Sequence, residues 1–164
     1  MVTYRNEPYV MAIPTSWECL NWSPEYLRKR LGEFEINGRI ASERVHIKEE
    51  HICESVRQSL DKFLSIKDKI WYCSYLRLSE LYDATDLEPI KWDQLELNDT
   101  GGDACLWIGS TGSETKLHRD AYGWNCVGQL YGRKLWRLAP KECNIMPSRI
   151  RKHTFNILTV ILMN

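Results

Sequence analysis

Leu106-Trp107-Ile108-Gly109-Ser110-Thr111-Gly112-Ser113-Glu114-Thr115-Lys116-Leu117-His118-Arg119-Asp120 is the stretch on which the reading of this chain turns. Ala104 to Gly109 is a short apolar run, strand-like and buried in character, ended by Gly109, Ser110 and Gly112. Leu117 to Asp120 reads as a second, shorter extended segment. Residues i and i+2 of a strand point to one face, so the His118 imidazole and the Asp120 carboxylate would converge on one point. Two imidazoles and one carboxylate, with coordination positions left open, are the ligand set of non-haem iron(II) oxygenases. On the tripeptide alone, a surface histidine followed by a turn aspartate is the commoner arrangement.

Working outward, Asn125 to Leu130 reads as a strand, Tyr131-Gly132-Arg133 as a turn, and Lys134 to Leu138 as a further strand stopped by Pro140. Short strands between glycine-containing turns suggest a barrel or sandwich. Upstream the character is helical. Ser23 is a natural N-cap, with Pro24 at the first helical position and Glu25 at the positive end of the dipole. Leu27, Leu31 and Phe34 give that helix an apolar stripe. Ser55 and Gln58 have capping-box spacing, which predicts a second helix carrying Val56, Leu60, Phe63 and Leu64. A third helix is expected over Leu76 to Tyr82. Strands are expected at 8–14, between prolines, and at 69–75. The fold class expected is α+β: N-terminal helices and strands over about 15–90, leading into a partial barrel over about 104–164, all in one domain.

Composition bounds the rest. With 164 residues, 43% of them hydrophobic, the chain is long enough for a real core. The 22 basic residues balance the 22 acidic ones, which argues against a nucleic-acid footprint. No apolar run approaches the roughly 18 residues of a membrane span, and Met1 to Tyr9 has no secretory character. Cysteines at 19, 53, 73, 105, 126 and 143 form no CxxC pair. They are expected as reduced, mostly buried thiols in the cytoplasm or nucleus.

The run from Leu106 to Asp120, followed by Tyr122-Gly123, Asn125, and Gly132-Arg133-Lys134-x-Trp136-x-Leu138-x-Pro140, resembles the JmjC-type, cupin-like family of iron(II)- and 2-oxoglutarate-dependent oxygenases. The likeness extends over residues 8 to about 150, and is greatest to the branch associated with a small heat-shock protein. It implies a double-stranded β-helix (jelly roll), iron(II) and 2-oxoglutarate as cofactors, and protein hydroxylation or demethylation as the activity. It implies that His118 and Asp120 are iron ligands, and that Lys134 and Thr115 meet the distal carboxylate of 2-oxoglutarate. Asn125 would lie near the iron-bound end, and Tyr72 would touch the co-substrate. The partner implied is a protein or peptide, a small heat-shock protein among them, with neither nucleic acid nor membrane.

One departure matters. The resemblance calls for a second histidine on a late strand, after a Gly-Asp turn. The only histidine after Asp120 is His153, in the basic run Arg151-Lys152-His153, a poor setting for another cation. His46 and His51 lie in a charged stretch and are expected in solvent. The expectation is therefore an incomplete domain with low or no turnover. The alternatives are an inactive interaction module of the same family and, less well supported, a redox-silent ligand-binding cupin.

Overall fold

The structure, a computed structural model, describes residues 8, 10–42, 53–95, 104–115, 118 and 125–138, and the backbone of 157–163. The first helix, α1 (Pro24–Leu31), begins as its sequence dictates: the Ser23 side chain accepts from the Tyr26 N–H at 3.1 Å and Pro24 opens the first turn. It buries Leu27 and Leu31. The chain then enters β1 (Glu35–Ala41), which the sequence did not announce. Asn37 and Gly38 are poor strand formers, but Ile36 and Gly38 face inward in strict alternation with exposed Glu35 and Asn37. Gly38 is there for clearance, since a Cβ would stand 2.5 Å from Phe63 Cζ and 2.7 Å from Cys73 Sγ.

The helix expected from Ser55 is corrected. Residues Glu54–Ser59 form a strand, β2, paired antiparallel with β1 from Glu35↔Ser59 to Ile40↔Glu54. The helix α2 (Leu60–Ser65) starts only after it, capped by Ser59, not Ser55. The 3.6-residue pattern was real only in Leu60, Phe63 and Leu64, all buried. Val56, counted with them in sequence, belongs to the strand.

β3 (Ile70–Arg77) follows, then α3 (Leu78–Ala84), β4 (Cys105–Gly109), β5 (Asn125–Tyr131) and β6 (Ile157–Met163). The third helix thus begins two residues later than expected, because Leu76 is held in the β3–β4 ladder opposite Leu106. The sheet order is β2-β1-β3-β4-β6-β5. Neighbours are antiparallel from β2 to β4, and β6 runs parallel to both β4 and β5. This is a mixed α/β architecture on an open sheet; the described residues do not close it into a barrel.

Two expected strands are absent. Among 8 and 10–14 there is no regular structure, and Val10 is fully exposed; Pro8 and Pro14 each withhold a backbone donor. Residues 134–138 run without a ladder, leaving Leu135 and Leu138 exposed. The turn before them is as expected, with Gly132 at φ 69.

The helices cover one face of the sheet. Trp17, Trp22, Leu27, Phe63, Trp71, Leu81, Leu106 and Ile108 are among the buried residues of that single core. Trp17 is oriented at both ends, its indole donating to Gln94 Oε1 at 2.9 Å and its ring meeting Trp92 edge-on at 5.0 Å. The other face of β3 and β4 carries the polar and aromatic residues of interest, Tyr72, Tyr75 and Trp107. The described cysteines 19, 53, 73, 105 and 126 are all free thiols; Cys143 lies outside the described residues.

Candidate functional site

The site is made by an irregularity in β3. Tyr72 pairs with Gly109 and Cys73 with Ile108, after which the register slips and Leu76 pairs with Leu106. Ser74 and Tyr75 therefore stand together opposite Trp107. Cys73 and Leu76 are three residues apart, so in a regular strand they would face opposite sides. The bulge lets both pack into the core. It also turns Tyr72 and Tyr75 to the opposite face, with Tyr75 in the left-handed region at φ 59. The Trp107 ring lies between them, 5.8 Å from Tyr72 and 4.6 Å from Tyr75 between centroids.

Gly109 makes room for the tyrosine. A Cβ there would fall 2.5 Å from Tyr72 Cδ2 and 2.7 Å from Ser113 Oγ, so the ring crosses β4 only because residue 109 has no side chain. The following loop is tied to β3 at its base: Trp71 N–H donates to Ser110 Oγ at 2.9 Å, and Ser110 N–H donates to Trp71 O at 3.0 Å. Gly112, at φ 90, turns the loop, and the Ser113 hydroxyl donates to Ser110 O. Thr115 is thereby brought beside Tyr72. Burial pushes the Tyr72 hydroxyl well above the ordinary phenol range, and Thr115 draws it back only in part. Thr115 is close enough to be felt, but the Tyr72 hydroxyl makes no hydrogen bond of regular geometry among the described residues. Tyr72 is only 3% exposed, so a buried polar atom is left wanting a partner.

Two more atoms on this face are in the same condition. Trp107 Nε1 and Gln129 Oε1 are buried and unpartnered among the described residues. Both residues stand in register with Ile161 of β6, so they share the face of Tyr72. Gln129 is fixed by its amide, which donates to Tyr131 O at 2.7 Å. Across β1, Arg39 is paired with Tyr72 and projects to the same side, close enough for its charge to favour ionisation of the phenol. None of Arg39, Trp107 and Gln129 stood out in the sequence as a site residue. Arg39 lay in an unforeseen strand, and Trp107 passed for strand filling.

The other candidate residues are less closely gathered. Asn125 lies on the same face but in a row six residues along β6 from that of Tyr72, about 20 Å at strand rise. Lys134 is half-buried, and desolvation holds its ammonium below the ordinary lysine range. Its Nζ sits 4.4 Å from the Trp136 ring centroid, and no described carboxylate pairs with it. His118 is half-buried in an isolated bridge and makes an interaction of its own. Asp120, His46, His51 and His153 lie outside the described residues, among which no group of three or more His, Cys, Asp or Glu gathers as for a metal.

No family model matches the sequence. Individual proteins do. The human HSPB1-associated protein 1 is 32% identical over 157 aligned residues, covering 82% of this chain and 32% of that protein. The rat protein of the same name is 31% identical over the same share of this chain. The chain is homologous to HSPB1-associated protein 1. The zebrafish homologue of that protein is 27% identical, covering 83% of this chain and 35% of its own length. The chain thus spans about a third of the length of the curated relatives it matches.

Proposed function

We propose that this chain forms part of a JmjC-type, cupin-like oxygenase domain, and that the face carrying Tyr72 and Thr115 receives 2-oxoglutarate. The observation that carries this reading is the buried Tyr72 hydroxyl, which lies beside the Thr115 hydroxyl and has no hydrogen bond of regular geometry among the described residues. A carboxylate oxygen placed between two hydroxyl donors satisfies both, and removes the penalty of leaving a phenol dry and unpaired. Lys134 supports the reading from a second direction. Among the described residues no carboxylate pairs with this half-buried ammonium, which lies over the Trp136 ring, and a dicarboxylate would offer a counter-charge. On this reading the open sheet described above is one portion of a jelly-roll barrel.

His118 and Asp120 are assigned as iron(II) ligands on their place in the motif, since an imidazole and a carboxylate are donor types suited to that metal. Bound together with 2-oxoglutarate and oxygen, iron(II) would supply the oxidising chemistry for hydroxylating or demethylating a protein side chain. This chain's own part is to bind and orient: Tyr72 and Thr115 donate to a carboxylate, Lys134 neutralises charge, and His118 presents an imidazole nitrogen. The resemblance would put Asn125 at the iron-bound end of the co-substrate, but a row about 20 Å from that of Tyr72 is farther than one 2-oxoglutarate spans, so Asn125 is left out of this site.

Calorimetric titration of 2-oxoglutarate into the chain tests the reading. Binding is expected to weaken in Tyr72→Phe and Lys134→Met, and to be strengthened by iron(II) in the parent but not in His118→Ala. Absence of 2-oxoglutarate binding by the parent would sink it. Succinate release with iron(II) and ascorbate is expected to be slight for these 164 residues, since His153 is the only histidine after Asp120.

A second reading, an interaction module, is favoured by a different observation. Leu135, Trp136 and Leu138 are exposed in succession, and the human relative is named for association with HSPB1. We propose that a heat-shock protein is a partner of this chain. Capture of the chain by purified HSPB1, and its loss in Leu135→Glu/Leu138→Glu, would support this; equal capture of both would assign the contact elsewhere.

A further inference from the structure

We propose that a slit in the sheet, between β1 and β3, receives a short extended peptide held through its main chain as an inserted strand. β1 follows β2 from Glu35↔Ser59 to Ile40↔Glu54, but it pairs with β3 only from Arg39↔Tyr72 to Ala41↔Ile70. After Cys73 the bulge carries β3 along β4, with Leu76 opposite Leu106 and Arg77 opposite Cys105. The sheet is therefore open between residues 34–37 and 74–77. A cavity of about 310 Å³ occupies the opening, lined by Glu35, Ile36 and Asn37 of β1, Ser74 and Leu76 of β3, and Leu81 of α3.

Hydrogen-bond alternation decides which backbone groups face the slit. The Trp71 N–H and C=O both turn to Ser110, on the β4 side. Those of Tyr72 therefore turn to β1 and meet Arg39. Two and four residues back along β1, the N–H and C=O groups of Asn37 and Glu35 point the same way, where the register with β3 has ended. Among the described residues they meet no strand there, and an open strand edge is a template for another extended chain. The lining also sorts by face. Ile36 and Leu81 are buried on the core side, while Glu35 and Asn37 are exposed on the other. A peptide with one apolar residue between two polar ones matches both faces. Charge is balanced at the mouth: Arg57 holds Glu35 at 3.0 Å, and Arg77 lies 3.9 Å from Glu80. Recognition thus falls to the main chain and not to an ion.

The isotope-labelled chain is titrated, by nuclear magnetic resonance, with acetyl-Gly-Thr-Leu-Thr-Gly-amide and with the same peptide N-methylated at its central amides. The first peptide should bind in the millimolar range and shift the amide signals of Glu35 and Asn37. Hydrogen exchange at those two amides should be fast in the free chain and slow on binding. The methylated peptide keeps its side chains but loses its donors, and should bind about tenfold more weakly, the scale of one or two lost hydrogen bonds. Asn37→Pro removes a slit-facing N–H at a strand edge where proline is tolerated, and should weaken binding several-fold. Should that variant fail to fold by circular dichroism, the methylated peptide on the parent decides. Equal binding of the two peptides, binding of neither, shifts confined to other amides, or slow exchange of amides 35 and 37 in the free chain would each overturn the proposal.

Discussion

Tyr72 shows how one residue can set stability against binding. Its ring is buried and well packed against Trp107, but its hydroxyl is left without a regular hydrogen bond. An unpaired buried hydroxyl costs about 1–3 kcal/mol, so deleting it should not destabilise the fold. Tyr72→Phe is expected to match or exceed the parent in urea midpoint while binding 2-oxoglutarate more weakly. A large loss of stability would mean that the hydroxyl is satisfied after all. Tyr75 carries a different tension. A non-glycine residue at φ 59 is strained by roughly 1–3 kcal/mol, offset in part by its contact with Trp107. The usual order of glycine and alanine should therefore reverse here. Tyr75→Gly is expected to be more stable than Tyr75→Ala by about 1 kcal/mol in chemical denaturation, because only glycine adopts this backbone freely.

Among the elements, β1 and α2 are held at a distance that only glycine allows. Gly38 lies under Phe63, whose exposure is 0%, and beside Cys73. A methyl group at 38 would have to displace an aromatic ring from a packed core, a change worth about 1–3 kcal/mol. Gly38→Ala should lower the urea midpoint accordingly, and Gly38→Ala/Phe63→Leu should cost less than the two single substitutions added together. Strict additivity would show that the contact is not what makes the glycine necessary. The same logic governs β4, where Gly109 yields its place to Tyr72. In both strands the position that looks weakest by strand propensity is the one that lets a neighbouring ring lie down.

For the molecule as a whole, the buried thiols and phenols predict how stability depends on pH. Burial pushes Cys19 from 9.0 up to about 12, and Cys73 also upward. Burial likewise pushes Tyr82 from 10.0 up to about 12, and raises Tyr72. A raised folded value means that above pH 9 the unfolded chain has released protons that the folded chain still holds. Stability contributed by these groups is then complete below about pH 9 and is lost progressively towards pH 12. Urea midpoints recorded from pH 7 to 11 should be level at first and decline above about 9. In Cys19→Ala the decline should be shallower. A midpoint rising through this range would contradict the burial of these groups.

Local chemistry made α1 legible in advance: Ser23, Pro24 and Glu25 satisfy orphan backbone donors and the helix dipole without help from the rest of the chain. The same holds for β4 and for the turn at Gly132, where short-range pattern and glycine φ suffice. His118, Asp120, Thr115, Asn125, Lys134 and Tyr72 could be named from motif alone, but their spatial relation could not. The Ser55–Gln58 spacing misled because a capping signal competes with strand pairing, and β2 had β1 to pair with. β1 itself was hidden because Asn37 and Gly38 have low strand propensity, and packing against Phe63 and Cys73 outweighs it. The bulge at Ser74–Tyr75 was beyond sequence for the same reason: it corrects the facing of Cys73 and Leu76 relative to a core that exists only after folding. Arg39 thus reaches the site by register, a relation between distant segments that no local pattern encodes.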